Sequence, residues 1–264
     1  MKRWIVWAAM VAAGCVFGVT GGEQWKGAKV AFLGDSITDP NTLGAGTPTF
    51  VGYLKETLGI EPSVYAISGH HWTHLMGQID RLEQSGTEPD AVIIFCGTND
   101  YAANAPLGEW FTLELGKATR FGAITSPSIK RTLCLDMKTF RGRINAVLLR
   151  LRKRYPEAQV VILTPIHRAF FQCSPTNIQP DENYPNSLGL FLEDYVQVLR
   201  EASDRWSVPV IDLYARSGLS PMVEEQGRFF RNGKTDRLHP NAKGHRQMGK
   251  LIALELRNLP ANLK

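Results

Sequence analysis

Val30-Ala31-Phe32-Leu33-Gly34-Asp35-Ser36-Ile37-Thr38 is an apolar run that breaks into a Gly-Asp-Ser turn. Such a run reads as a buried strand, and the turn leaves Ser36 just beyond its carboxyl end. Runs of the same kind recur at residues 64–67, 92–96, 160–163 and 208–213. Between and after them, helical periodicity appears at residues 50–58, 72–84, 138–155, 190–206 and 241–256. Near-continuous apolar strands are buried on both faces, and strands alternating with helices are joined by right-handed crossovers. The pattern therefore predicts an α/β fold, a three-layer α/β/α sandwich around a parallel sheet.

The chemistry expected of Ser36 comes from the far end of the chain. A serine hydroxyl is a poor nucleophile at neutral pH and needs an imidazole to take its proton, with a carboxylate holding that imidazole in the right tautomer. Asp236-Arg237-Leu238-His239-Pro240 supplies both groups. Two further segments, Ile67-Ser68-Gly69 and Gly97-Thr98-Asn99-Asp100, each follow a strand-like run. Taken singly these signals are weak, because Gly-Asp-Ser is a common turn and a lone histidine is more often structural. In this order, with three of them at the carboxyl ends of strands, they form a set.

Ser36, Gly69, Asn99 and His239 in these contexts resemble the SGNH superfamily, the GDSL-type esterases and lipases, over roughly residues 29–256. Gly-Asp-Ser-Ile-Thr, Gly-Thr-Asn-Asp and Asp-x-x-His-Pro followed by a helix match closely. The second block departs from the family pattern, since Ala66 and Ile67 stand where an Asn usually precedes the glycine. The resemblance implies five parallel strands in the flavodoxin-like order 2-1-3-4-5, with the site beyond their carboxyl ends. It also implies roles: Ser36 as nucleophile, His239 as base and Asp236 as its orienting carboxylate. The backbone N–H groups of Ser36 and Gly69, with the Asn99 amide, would be the oxyanion donors. No cofactor is called for. An α/β-hydrolase is disfavoured because no Gly-x-Ser-x-Gly elbow occurs.

Composition sets the remaining bounds. At 264 residues and 44% apolar content the chain can bury one sizeable core, and no linker-like stretch interrupts it, so residues 22–264 read as one catalytic domain. The formal charge of +5 falls to +3, 28 basic against 25 acidic residues, without Lys2 and Arg3, which is too little to argue for nucleic acid. Arg141, Arg143, Arg150, Arg152, Lys153 and Arg154 cluster, but Phe140, Ile144, Val147, Leu148 and Leu151 run through the same segment at helical spacing. The cations thus read as the solvated face of an amphipathic helix.

Residues 1–21 read as a bacterial export signal, with Lys2-Arg3 ahead of an apolar stretch too short for a comfortable membrane span. Ala12-Ala13-Gly14-Cys15 resembles a lipobox in which Cys15 would be acylated and anchor the chain to a membrane; cleavage after Gly18 or Gly21 is the alternative. Either outcome places the mature enzyme outside the cytoplasm, as a periplasmic, outer-membrane or secreted protein. Cys96 is expected as a buried thiol, while Cys134 and Cys173 are open to pairing. His70, His71 and His74 cluster without the cysteine or carboxylate partners of a zinc site.

Three long connections, residues 101–137, 167–188 and 215–237, exceed what a compact α/β domain needs and are expected to build the substrate surface. They carry Trp110, Phe111, Phe121, Phe170, Phe171, Tyr184, Phe229 and Phe230. The substrate reading is an O-acyl, chiefly O-acetyl, ester on a polysaccharide or oligosaccharide. A lysophospholipase- or thioesterase-like activity is the alternative within the family, and a non-catalytic carbohydrate-binding protein the alternative outside it.

Overall fold

The computed structural model describes residues 23–44, 46–120 and 122–264; the expected export signal with Cys15, and Phe121, lie outside the described residues. In chain order the first half holds β1 (Lys29–Gly34), α1 (Phe50–Leu58), β2 (Glu61–Val64), α2 (Leu75–Gln84), β3 (Ala91–Phe95), α3 (Thr98–Ala102), β4 (Phe111–Arg120) and β5 (Ala123–Leu133). The second half holds α4 (Phe140–Arg154), β6 (Gln159–Leu163), β7 (Phe171–Gln172), β8 (Ile178–Gln179), α5 (Leu192–Trp206), β9 (Val210–Ile211), α6 (Leu213–Arg216), β10 (Phe230–Asn232), β11 (Asp236–Pro240) and α7 (Ala242–Leu256).

Five strands pair in the order β2-β1-β3-β6-β9, every pair parallel, with Gly34 opposite Phe95 and Phe95 opposite Leu163. Counting only these strands, this is the expected 2-1-3-4-5. Alternate residues enter different layers, as the period of two requires. Ala31, Leu33, Val92, Ile94, Val160 and Ile162 join the core under α2, α4 and α5. Val30, Phe32, Ile93, Phe95, Val161 and Leu163 join the one under α1 and α7.

Two strands differ from the sequence reading. β2 begins earlier than residues 64–67, because the outer strand of the sheet tolerates Pro62, whose missing N–H removes no ladder bond from a neighbour. Residues 65–67 still run along β1, with Tyr65 N–H donating to the Phe32 carbonyl and Ile67 N–H to that of Gly34. β9 keeps two residues of the expected six: Asp212 ends it by accepting from Ala215 N–H and capping α6.

The arginines of α4 do more than face solvent. Arg143 reaches the buried carboxylate of Asp100 at 2.8 Å, Arg141 holds Glu201 of α5, and Arg150 bridges Asp80 and Glu83 of α2. These pairs tie the three helices of one layer to each other and to the loop that carries Asn99.

The first long connection is a β-ribbon, β4 paired antiparallel with β5. Trp110 is buried and donates its indole N–H to Glu201 at 2.7 Å, while Phe111 lies beneath the guanidinium groups of Arg131 and Arg205. The other two connections build a second sheet, antiparallel, in the order β10-β11-β7-β8. Among the described residues no helix is long and apolar enough to cross a membrane.

Candidate active site

β1 ends at Gly34, where any side chain would collide with the Phe95 carbonyl 2.4 Å from the Cβ position, so two parallel strands stay close up to the turn. The turn then closes on itself. Asp35 accepts from Ile37 N–H through its side chain at 3.0 Å and from Thr38 and Asp39 N–H through its carbonyl. Ser36 is thereby presented beyond the strand end, 6% exposed, with its own N–H outside the turn's hydrogen bonding.

The second sheet brings the other two groups to it. β11 is clamped between β10 and β7, and Asp236 Oδ1 accepts from the backbone N–H of Leu238 and His239, which fixes the carboxylate beside the ring it faces. His239 Nδ1 lies 3.0 Å from Asp236 Oδ2, and His239 Nε2 lies 2.9 Å from Ser36 Oγ. Phe171 of β7 meets the imidazole edge-on at 5.1 Å and covers its flank. A hydroxyl, an imidazole and a carboxylate thus stand in one hydrogen-bonded line, the arrangement that activates a serine.

Asn99 lies in the first turn of α3, which follows β3, and its Nδ2 donates to the His70 carbonyl at 3.0 Å. One amide hydrogen is used there and the other is left over. Gly69, at φ +79°, turns the loop between Ser68 and His70; Ser68 N–H is held by Asp39 Oδ2, and the N–H of Gly69 has no partner among the described residues. The structure therefore sets unengaged N–H groups at Ser36, Gly69 and Asn99, each at a carboxyl end of β1, β2 or β3.

Gln78 is the residue that sequence reasoning missed. Fully buried in α2, it accepts from Gly34 N–H at 2.8 Å, donates to the Gly34 carbonyl at 2.7 Å and meets His70 Nδ1 at 3.0 Å. It joins the end of β1 to the Gly69–His70 loop. The available signal was a glutamine lying in the apolar stripe of Leu75, Ile79 and Leu82.

Buried charge surrounds the turn. Burial pushes the Asp35 carboxyl up to about 7, the bond from Ile37 N–H opposing the shift and Asp100 adding to it. Burial likewise raises Asp100 to about 6 against the bonds from Trp72 N–H and Arg143. Arg168, fully buried, is lowered to about 10 by desolvation while Tyr101 and the nearby carboxylates oppose it. Its guanidinium donates to Thr98 and Gln179, tying the Asn99 loop to β8. Asp35 and Asp100 thus act on the backbone around the site, as turn and ion-pair residues.

The remaining histidines divide by position. His245 is buried in α7, accepts from Phe50 N–H at 3.2 Å and stacks on the Phe50 ring, and desolvation pushes it down to about 4. His167 pairs with Glu182 and lies against Tyr214. His70 and His74 stack at 4.6 Å, with His71 lowered to about 4, chiefly by burial. Among the described residues no three His, Cys, Asp or Glu side chains are grouped so that they could hold a metal ion. Cys96 is buried with its thiol pushed up, whereas Cys134 and Cys173 are both free. Of the loop aromatics Phe170 and Tyr184 are exposed, Phe171 covers His239, and Phe230 belongs to the core.

A five-stranded parallel sheet of this order, carrying this constellation at its carboxyl end, defines the α/β/α ester hydrolases of the SGNH kind. The model of the GDSL-like Lipase/Acylhydrolase family matches residues 32–247, and the chain belongs to that family, whose members are hydrolases acting on esters. Solved structures share the fold. A "possible lipase" from Chitinophaga pinensis is 22% identical with a TM-score of 0.67, covering 90% of this chain and 100% of its own. A protein from Lactobacillus plantarum is 24% identical with a TM-score of 0.65, covering 89% and 98%. An acetyl xylan esterase from Geobacillus stearothermophilus is 17% identical with a TM-score of 0.54, covering 88% and 95%. Comparison with curated proteins gives no match.

Proposed function

We propose that this chain is an exported serine esterase that removes O-acyl groups, chiefly O-acetyl, from a polysaccharide or oligosaccharide. The observation that carries the catalytic part is the line Ser36 Oγ, His239 Nε2, His239 Nδ1, Asp236, with contacts of 2.9 and 3.0 Å. His239 takes the Ser36 proton as Oγ attacks the ester carbonyl, and the oxyanion is received by the N–H groups of Ser36 and Gly69 and the spare Asn99 hydrogen. As the intermediate collapses and the ester C–O bond breaks, His239 gives its proton to the departing sugar oxygen, leaving the acyl group on Ser36. Water, deprotonated by the same imidazole, releases the acid from Ser36.

The carbohydrate part is supported by the exposed rings of Phe170 and Tyr184, which suit stacking on sugars, and by the fold shared with an acetyl xylan esterase. It is tested by rates on p-nitrophenyl esters of two to twelve carbons, alongside acetylated xylan and pectin. Activity that peaks at acetate and extends to a polymer supports it. A peak at long chains with no polymer deacetylation replaces it by the lipid-esterase reading.

Asn99→Ala is expected to lower kcat by roughly 10²- to 10³-fold, about 3–4 kcal/mol, with KM little changed, because its amide acts on charge that exists only in the transition state. A rise in KM alone would make Asn99 a substrate-positioning group. Export is read from the intact mass of the mature chain. An acylated Cys15 indicates a lipoprotein, a free N-terminus after Gly18 or Gly21 a secreted form, and an unprocessed Met1 in the native host defeats the leader.

A further inference from the structure

A groove of about 860 Å³ lies between the segment that follows the Ser36 turn and the start of α7, with Asn41, Gly52, Tyr53, Glu56, Lys243 and Arg246 on its walls. It is near the reacting atoms by construction. Pro40, at its rim, is four residues from Ser36, and Ala242, on the opposite rim, is three from His239. At 3.3–3.6 Å per residue those stretches reach at most about 14 and 11 Å, so the groove opens within a few sugar units of the serine.

Two of its cations are free to meet an anion from outside. Lys243 and Arg246 lie three residues apart on α7 and share one face of that helix. Among the described residues neither side chain has an ion-pair or hydrogen-bond partner, whereas Arg141, Arg143, Arg150 and Arg154 are each held by a carboxylate. Both are exposed and so keep their charge available to an external anion. The groove has a single carboxylate among its described walls, Glu56. Tyr53 is half-buried against Gly249, where any Cβ would stand 2.7 Å from its ring, so the ring is held in place while it lines the groove. A fixed aromatic ring beside two unpaired cations is the pair of features that binds a sugar carrying a carboxylate. Gly52 keeps the floor open, since the nearest atom to a Cβ there is 3.9 Å away.

We propose that this groove is a subsite for an anionic sugar, a uronic acid unit of the polymer whose acylated unit sits at Ser36. The inference rests on the carbohydrate esterase reading and narrows it to acidic polysaccharides. Lys243 and Arg246 receive the carboxylate, and Tyr53 offers its ring to the sugar face.

Binding tests it without catalysis. Titration calorimetry of the full chain would use de-esterified oligogalacturonate as the acidic probe and a xylo-oligosaccharide of equal length as the neutral one. The acidic oligomer is expected to bind more tightly, and its affinity to fall as salt is raised. Lys243→Gln combined with Arg246→Gln should weaken it by tenfold or more, with an unchanged thermal midpoint showing that the fold is intact. Glu56→Gln should act in the opposite direction and strengthen it. Equal binding of the two oligomers, or oligogalacturonate binding that the double variant leaves unaltered, overturns the subsite. The esterase reading fails on separate results: a chain that binds oligogalacturonate through these cations but cleaves no ester keeps the subsite and loses the enzyme.

Discussion

Ser36→Ala is expected to lower kcat by on the order of 10³-fold or more, while the protein stays folded. The loss follows from geometry, because Ser36 Oγ is the atom that stands 2.9 Å from His239 Nε2. Without it no acyl-enzyme forms, and the residual rate comes from water attacking an ester held by the oxyanion donors. The fold should hardly notice, since the turn is closed by Asp35 accepting from Ile37, Thr38 and Asp39 and not by the hydroxyl. A single hydrogen bond of this kind contributes roughly 0.5–1.5 kcal/mol. Two measurements check the claim: steady-state rates on p-nitrophenyl acetate, with the thermal midpoint alongside, and labelling by a fluorophosphonate. A folded variant at near-wild-type rate, or a label found on another serine, would remove Ser36 from its role.

How far the sequence carried this reading depends on where each element gets its stability. β1, β3 and β6 lie in the middle of the sheet and bury both faces, so their sequences are almost wholly apolar and their bounds were legible. α4, α5 and α7 announced themselves by helical spacing of apolar residues, to within two residues at either end. β2 and β9 sit at the margins, where one neighbour suffices and Pro62 or Asp212 can set the limits, and there the reading slipped.

β11 was invisible for a different reason. Asp236-Arg237-Leu238-His239-Pro240 has no strand-like pattern, and it is extended because β10, just before it across a short turn, and β7, drawn from a distant loop, pair with it on either side. Pairing of that kind is long-range information that a local pattern does not contain. The same holds for Gln78, whose hydrogen bonds cross 44 residues to Gly34, and for Arg168, whose guanidinium crosses 70 to Thr98. The groups proposed to react could be picked out because that chemistry restricts residue type; the residues that hold them in place could not, since many side chains can supply a donor or an acceptor.

His239→Ala should lose about as much as Ser36→Ala, and the pair together little more than either alone, because the hydroxyl and the imidazole act as one unit. The check is steady-state kcat on p-nitrophenyl acetate for both single variants and for the double variant, with the thermal midpoint alongside. Asp236→Asn separates orientation from base strength. The side-chain oxygen of an asparagine can still accept from the N–H of Leu238 and His239, which preserves the turn. Its amide, however, would present hydrogens to His239 Nδ1, where the carboxylate now accepts at 3.0 Å, and would favour the tautomer whose Nε2 carries a proton and cannot take one. Among the described residues no carbonyl stands at Nδ1 to replace that acceptor, so the expected cost is on the order of 10²- to 10⁴-fold in kcat with an unchanged thermal midpoint. Substantial activity in His239→Ala, together with a strict requirement for His70, His71 or His74, would move the base to the stacked histidines beside Asn99 and overturn the catalytic line drawn through β11.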